Sequence, residues 1–160
     1  MIESDVQASR WRFAFMLGAA LAVTAGANLF RVPYGNEYCY LLSVEKSADA
    51  KLLANDAFFT GNEAEHWLFN TVLGALGRVI PVQAMGFLGR IATWVACIAL
   101  FLRIGSAYGL RPWQSGMSVI LMVALGQSLE TGEFIFGSFE AKSIAYVFLL
   151  WAIERFLRRP

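Results

Sequence analysis

The stretch Ala54 to Asn70, ANDAFFTGNEAEHWLFN, gathers Asp56, Glu63, Glu65 and the only histidine of the chain, His66, between apolar flanks. A second stretch, Gly137 to Tyr146, reads GSFEAKSIAY and sets Glu140 two residues from Lys142. Carboxylates of this kind can act as general bases or as oxygen ligands of a divalent metal, and a lysine can hold a phosphate. Each of these readings has a structural counterpart. Glu63-x-x-His66 has the spacing used in diiron helices, but such a centre repeats the motif on a second helix and adds further glutamates. With one histidine in the chain, a polar cluster at the level of lipid headgroups is favoured. Asp56 follows Asn55 and is placed to cap a helix starting at Ala57, because a side-chain oxygen there accepts the free backbone N–H groups. Glu140 lies near the start of a helix, where the dipole favours a carboxylate by about 0.3–1 kcal/mol. On a helix Glu140 and Lys142 diverge and on an extended turn they share a side, so neither is expected to be the other's ideal partner.

What these groups can do depends on the solvent around them, and composition identifies it. Of the 160 residues, 58% are hydrophobic and 16% charged, with a mean hydropathy of +0.53. A typical soluble domain carries about 25% charged residues, so this chain is written for a bilayer. The balance of 13 basic and 12 acidic residues offers no clustered basic face and sets nucleic acid aside as a partner. Cys39 falls in a polar segment and Cys97 in an apolar run, so a bridge between them is not expected. Neither CxxC nor a zinc-ligand spacing occurs.

The sequence predicts an all-α, polytopic transmembrane protein, residues 1–160 forming one integral membrane domain with about four spans. Phe13 to Phe30 runs 18 residues without a charge between Arg12 and Arg31, close to the roughly 20 that a spanning helix needs. Ala25-Gly26-Ala27 has the form that signal peptidase prefers, but the run exceeds an h-region of about 7–15 residues, which favours a retained helix. The second span, 82–102, is apolar apart from Gln83 and Arg90. Its Gly86, Gly89 and Ala92 can admit a close neighbour, and Arg90 requires a partner or a route to the interface. The third, 113–129, follows Pro112 at an early helical position, and the fourth covers 139–157.

With a cytoplasmic N-terminus, four spans place Arg10, Arg12, Arg103, Arg111, Arg155, Arg158 and Arg159 inside, as the positive-inside rule requires. This is the orientation expected in a cell inner membrane. The outer side then collects Glu37, Glu45, Asp49, Asp56, Glu63, Glu65, Glu130, Glu133 and Glu140, a segregation that the rule does not itself impose. Residues 66–80 are expected to lie at the interface or to re-enter, a short extra span being the alternative. The outer loop 31–81 would leave the carboxylates of its opening stretch in water. Within it, 37–53 places Tyr38, Leu41, Leu42, Ala48 and Leu52 near one side of an amphipathic surface helix with charges opposite. Gly74-x-x-Gly77 is a packing signal, since no strand precedes it and no GK[ST] follows. The tryptophans at 67, 94, 113 and 151 are read as interface or packing residues.

An acidic residue directly after the first span in NEYCYLL (Asn36 to Leu42), a surface helix, and then LLANDAFF and HWLFN together resemble the front of the polytopic GT-C glycosyltransferases. GSFEAKSIAY is similar to an acidic motif in the second outer loop of uncharacterised bacterial membrane proteins with that architecture. The resemblance implies an enzyme taking a sugar from a polyprenyl-phosphate donor at the outer membrane face, with a divalent metal as a candidate cofactor. It implies Glu37 as base or metal ligand, assisted by Glu130, Glu133 or Glu140. The family's early motif is often two adjacent carboxylates, whereas Glu37 stands between Asn36 and Tyr38. Family members are also several times longer, so the chain is expected to be a front portion that associates with further transmembrane helices and membrane lipid.

The candidate site is accordingly Glu37, Asp56 and Glu140 for catalysis, with Lys142, His66 and Glu133 for substrate. In this reading Glu140 faces the first outer loop and joins Glu37 or Asp56 around a cation or a lipid phosphate held by Lys142. The alternative is a non-catalytic membrane scaffold, assembly factor or transporter fragment, its outer carboxylates merely solvated and Arg90 paired structurally.

Overall fold

The structure, a computed structural model, describes residues 2–29, 36–56, 66–125 and 135–158. Six helices and no strands occur among them: α1 (Ile2–Asn28), α2 (Glu37–Ala48), α3 (Trp67–Gly77), α4 (Val82–Ala107), α5 (Pro112–Ala124) and α6 (Ala141–Leu157). The all-α expectation holds. Among the described residues one helix, α4, is long and apolar enough to cross a membrane; α3 is apolar but shorter.

The chain divides into two compact units. The first comprises Met1–Leu29, Ile91–Gly137 and Ser143–Pro160, and the second Phe30–Arg90 and Ser138–Lys142. In the first unit Met16, Ala20 and Thr24 are buried at intervals of one helical turn and mark the inward stripe of α1. That stripe packs against α5, which buries Ser115, Gly116, Val119 and Val123 on its own inward side. Any Cβ at Gly116 would run into the Met16 side chain, so the small residue sets how closely these helices approach. Trp94, Cys97, Ile98 and Leu102 of α4 complete the core together with Phe136 and Leu150. The Trp94 indole N–H donates to the Gly137 carbonyl at 3.2 Å, which satisfies the one polar atom of that buried ring.

In the second unit α2 packs on α3. The close approach is made at Gly74, where a Cβ would stand 2.8 Å from that of Ser47, while Gly77 faces Met85 and Val44. The GxxG spacing is thus a contact between helices. The buried face of α2 is Glu37, Leu41 and Val44, while Tyr38 is exposed. The helix is therefore rotated from the amphipathic face expected of Tyr38, Leu41 and Leu42, and it ends at Ala48 instead of continuing to Leu53.

Candidate functional site

Glu37 is the first residue of α2 and is wholly buried, contrary to an outer carboxylate bathed in water. Its Oε1 accepts from Arg90 Nε at 2.9 Å and from the backbone N–H of Phe139 at 2.7 Å. Its Oε2 pairs with the Arg90 Nη2 group. Arg90 is itself 1% exposed. The guanidinium fork matches the two carboxylate oxygens, the geometry that makes arginine the usual cation of a buried pair. An arginine inside an apolar helix is costly without a counter-charge, and Glu37, 53 residues earlier, supplies it.

The Phe139 N–H ties the segment before α6 to the same carboxylate across 102 residues of chain. Gly89 makes room for this arrangement: a Cβ there would sit 2.6 Å from the Phe139 ring. That ring contacts Phe69 at 5.5 Å between centroids, Phe69 meets Tyr40 edge-on at 5.9 Å, and Tyr40 lies 4.8 Å from the His66 ring. A row of aromatic rings thus leads from exposed His66 to the residue whose amide holds Glu37. His66 precedes α3 in the left-handed conformation, φ 55° and ψ 28°, and its carbonyl accepts the Asn70 N–H at 2.9 Å. Histidine tolerates that region better than most side chains.

Glu140 stands immediately before α6 and is 3% exposed. It accepts from the Ser138 hydroxyl, and its Oε2 lies 3.1 Å from Lys142 Nζ. The expectation that Glu140 and Lys142 would not pair is corrected here. Glu140 precedes the first helical residue, so the spacing rule for two helical positions does not apply, and the long lysine stem reaches back to it. Lys142 keeps 30% of its side chain exposed.

Of the sequence candidates, then, the second unit brings Glu37 together with the backbone of the 138–142 segment, and Glu140 together with Lys142. Among the described residues His66 is linked to them through rings. Asp56 is half-buried at the end of the 49–56 turn, its N–H bonded to the Leu53 carbonyl at 3.1 Å. Leu53 has a φ of 53°. Glu133, with Glu63, Glu65 and Glu130, lies outside the described residues, as does the helix that Asp56 was expected to cap. Among the described residues no three His, Cys, Asp or Glu side chains cluster closely enough to hold a metal ion. The Glu37 oxygens are engaged by Arg90 and the Phe139 amide, while Glu140 meets the Ser138 hydroxyl and lies at ion-pair distance from Lys142. Cys39 and Cys97 are free thiols, one exposed and one buried.

Sequence reasoning missed Ser138, the Phe139 amide and the identity of the Arg90 partner. Arg90 in an apolar run did signal that some carboxylate must come to it, but nothing in the pattern chose among the acidic residues. A further buried carboxylate, Glu154 on α6, was also missed. Its Oε1 accepts from Arg103 Nε at 2.9 Å and pairs with Arg158 Nε at 2.7 Å.

Comparison with protein-family models, with curated proteins and with solved structures finds no match.

Proposed function

We propose that the protein is a multi-pass inner-membrane protein with a cytoplasmic N-terminus, and that its second unit carries an outer-face site for GT-C-like transfer of a sugar from a polyprenyl phosphate. The hydrogen bond from the Phe139 amide to Glu37 carries this reading, because it joins the two segments on which the resemblance rests. The roles differ from those that the resemblance implies. Glu37 is a positioning residue: wholly buried and with both oxygens engaged, it holds the 138–142 segment and neutralises Arg90. Lys142, partly exposed, meets the donor phosphate. As it swings to that anion it uncovers Glu140 Oε2, which takes the proton from the acceptor hydroxyl. The hydroxyl oxygen then bonds the anomeric carbon while the bond from that carbon to the lipid phosphate breaks.

Membranes holding the protein, supplied with a radiolabelled polyprenyl-phosphate sugar, should release the lipid phosphate. Glu140→Gln and Lys142→Ala should each slow this by about 100-fold or more, in the upper part of the range for acid–base catalysis, with the melting temperature almost unchanged. Turnover by both variants at the wild-type rate would remove the assigned roles. Topology is checked separately. An impermeant thiol reagent on intact cells should label Cys39, and Ser106→Cys should label only after permeabilisation.

The scaffold reading is favoured by one observation, the complete engagement of Glu37 inside the protein. It becomes the function of choice if the wild type consumes no donor.

A further inference from the structure

A cleft of about 550 Å³ opens in the first unit, well away in sequence from the Glu37 site. It is lined by Trp11, Arg12 and Phe15 of α1 and by Arg111, Pro112 and Trp113 at the start of α5. Its volume falls within the range of about 300–1,000 Å³ that takes small ligands. Among the described residues no carboxylate lines it. The ion pairs of the described residues take up Arg90, Arg103, Arg158 and Lys142, and neither Arg12 nor Arg111 belongs to any of them. The Arg111 backbone N–H is satisfied by the Gln114 side chain at 2.8 Å, so this helix start is already capped and the positive character of the cleft comes from the two guanidinium groups.

The walls beyond the two arginines are apolar and remain uncovered. Trp11 is 69% and Phe15 73% exposed, and Trp113, Met117 and Leu121 continue an exposed apolar face along α5. One end of the surface therefore asks for an anion and the rest for hydrocarbon. Tryptophan beside arginine is the pairing expected at the headgroup level of a bilayer, where the ring is amphipathic and the cation stays near water.

We infer that this cleft binds an anionic glycerophospholipid, its phosphate between Arg12 and Arg111, its glycerol against Trp11 and Trp113, and an acyl chain along Met117 and Leu121. Basic pockets between membrane helices recognise anionic headgroups in this way. The inference rests on the membrane reading and is independent of the glycosyl-transfer reading.

The test uses the full chain purified in a neutral detergent, with binding of phosphatidylglycerol, phosphatidylcholine and free glycerol phosphate measured by native mass spectrometry. Phosphatidylglycerol should bind tightest. Arg12→Gln with Arg111→Gln should weaken it by roughly 25-fold, about fivefold for each basic residue facing a lipid phosphate, and weaken phosphatidylcholine, whose phosphate charge is offset by choline, by less. Equal binding of phosphatidylglycerol by wild type and double variant overturns the inference. Glycerol phosphate binding as tightly as the lipid would overturn the lipid assignment in favour of a soluble phosphate. A chain that leaves the membrane fraction on carbonate washing would overturn the membrane reading and this inference with it, whereas failure in the lipid assay alone leaves the membrane reading standing.

Discussion

Glu37 and Glu154 are both wholly buried and both meet arginine, yet the two units handle them differently. In the second unit one buried arginine spreads over both Glu37 oxygens, and a backbone amide fills the remaining place. In the first unit Arg103 and Arg158 both approach Glu154 Oε1, while Oε2 accepts no hydrogen bond among the described residues. The arginines there are 48% and 44% exposed. Water can therefore solvate the Arg103 and Arg158 charges if the pair opens, but it cannot reach Arg90. Exposure of the cation, more than the number of ion pairs, determines what each carboxylate contributes.

The largest effect should come from Arg90→Ala, which strands Glu37 as an uncompensated buried charge. We expect a loss of about 3–5 kcal/mol, read as the midpoint of SDS-induced unfolding in mixed micelles. Replacing both partners, Glu37→Leu with Arg90→Met, should recover most of that loss, because an apolar pair of similar volume is often as stable as a buried ion pair. If the double variant were as unstable as Arg90→Ala, the Phe139 amide left without its acceptor would account for most of the destabilisation.

Gly89→Ala comes next. The added methyl meets the Phe139 ring and must push it aside, and overpacking of this kind costs about 1–3 kcal/mol. The same displacement should loosen the Phe139 amide from Glu37, visible as faster hydrogen exchange at that amide. Unchanged exchange would mean that the ring moves without its backbone.

Arg103→Ala and Arg158→Ala should be the mildest. Each leaves Glu154 one arginine, and partly exposed pairs are worth about 0.2–1 kcal/mol, the i,i+4 pair at Arg158 about 0.3–0.5. Both effects should shrink in high salt, whereas the Arg90 effect should not. An Arg103→Ala loss as large as that of Arg90→Ala would break the comparison.

How much of this was legible in the sequence can be judged from particular residues. The start of α4 at Val82 and of α5 at Pro112 were readable, because each follows a proline or glycine break and opens an apolar run. The length of α1 was not: it continues N-terminally through Arg10 and Arg12, since a helix propagates past the point where its composition turns polar. The rotation of α2 was beyond reach for a different reason. Its own pattern placed charges outward, and only a partner 53 residues away, itself on a helix of ambiguous facing, draws Glu37 inward. The expectation was that Glu140 would join Glu37 or Asp56; the contact described is the Phe139 amide on Glu37, and sequence patterns carry no sign of which backbone group a carboxylate will accept from.

The lengths of α4 and α5 set what each could do in a bilayer. At 1.5 Å per residue the 26 residues of α4 extend about 39 Å, more than a hydrocarbon thickness of about 30 Å, whereas the 13 residues of α5 extend about 20 Å. Under the multi-pass proposal, lipid beside α5 would have to thin, at a fraction of a kcal/mol per Å of mismatch, and acyl-chain length would become a variable to which the protein responds.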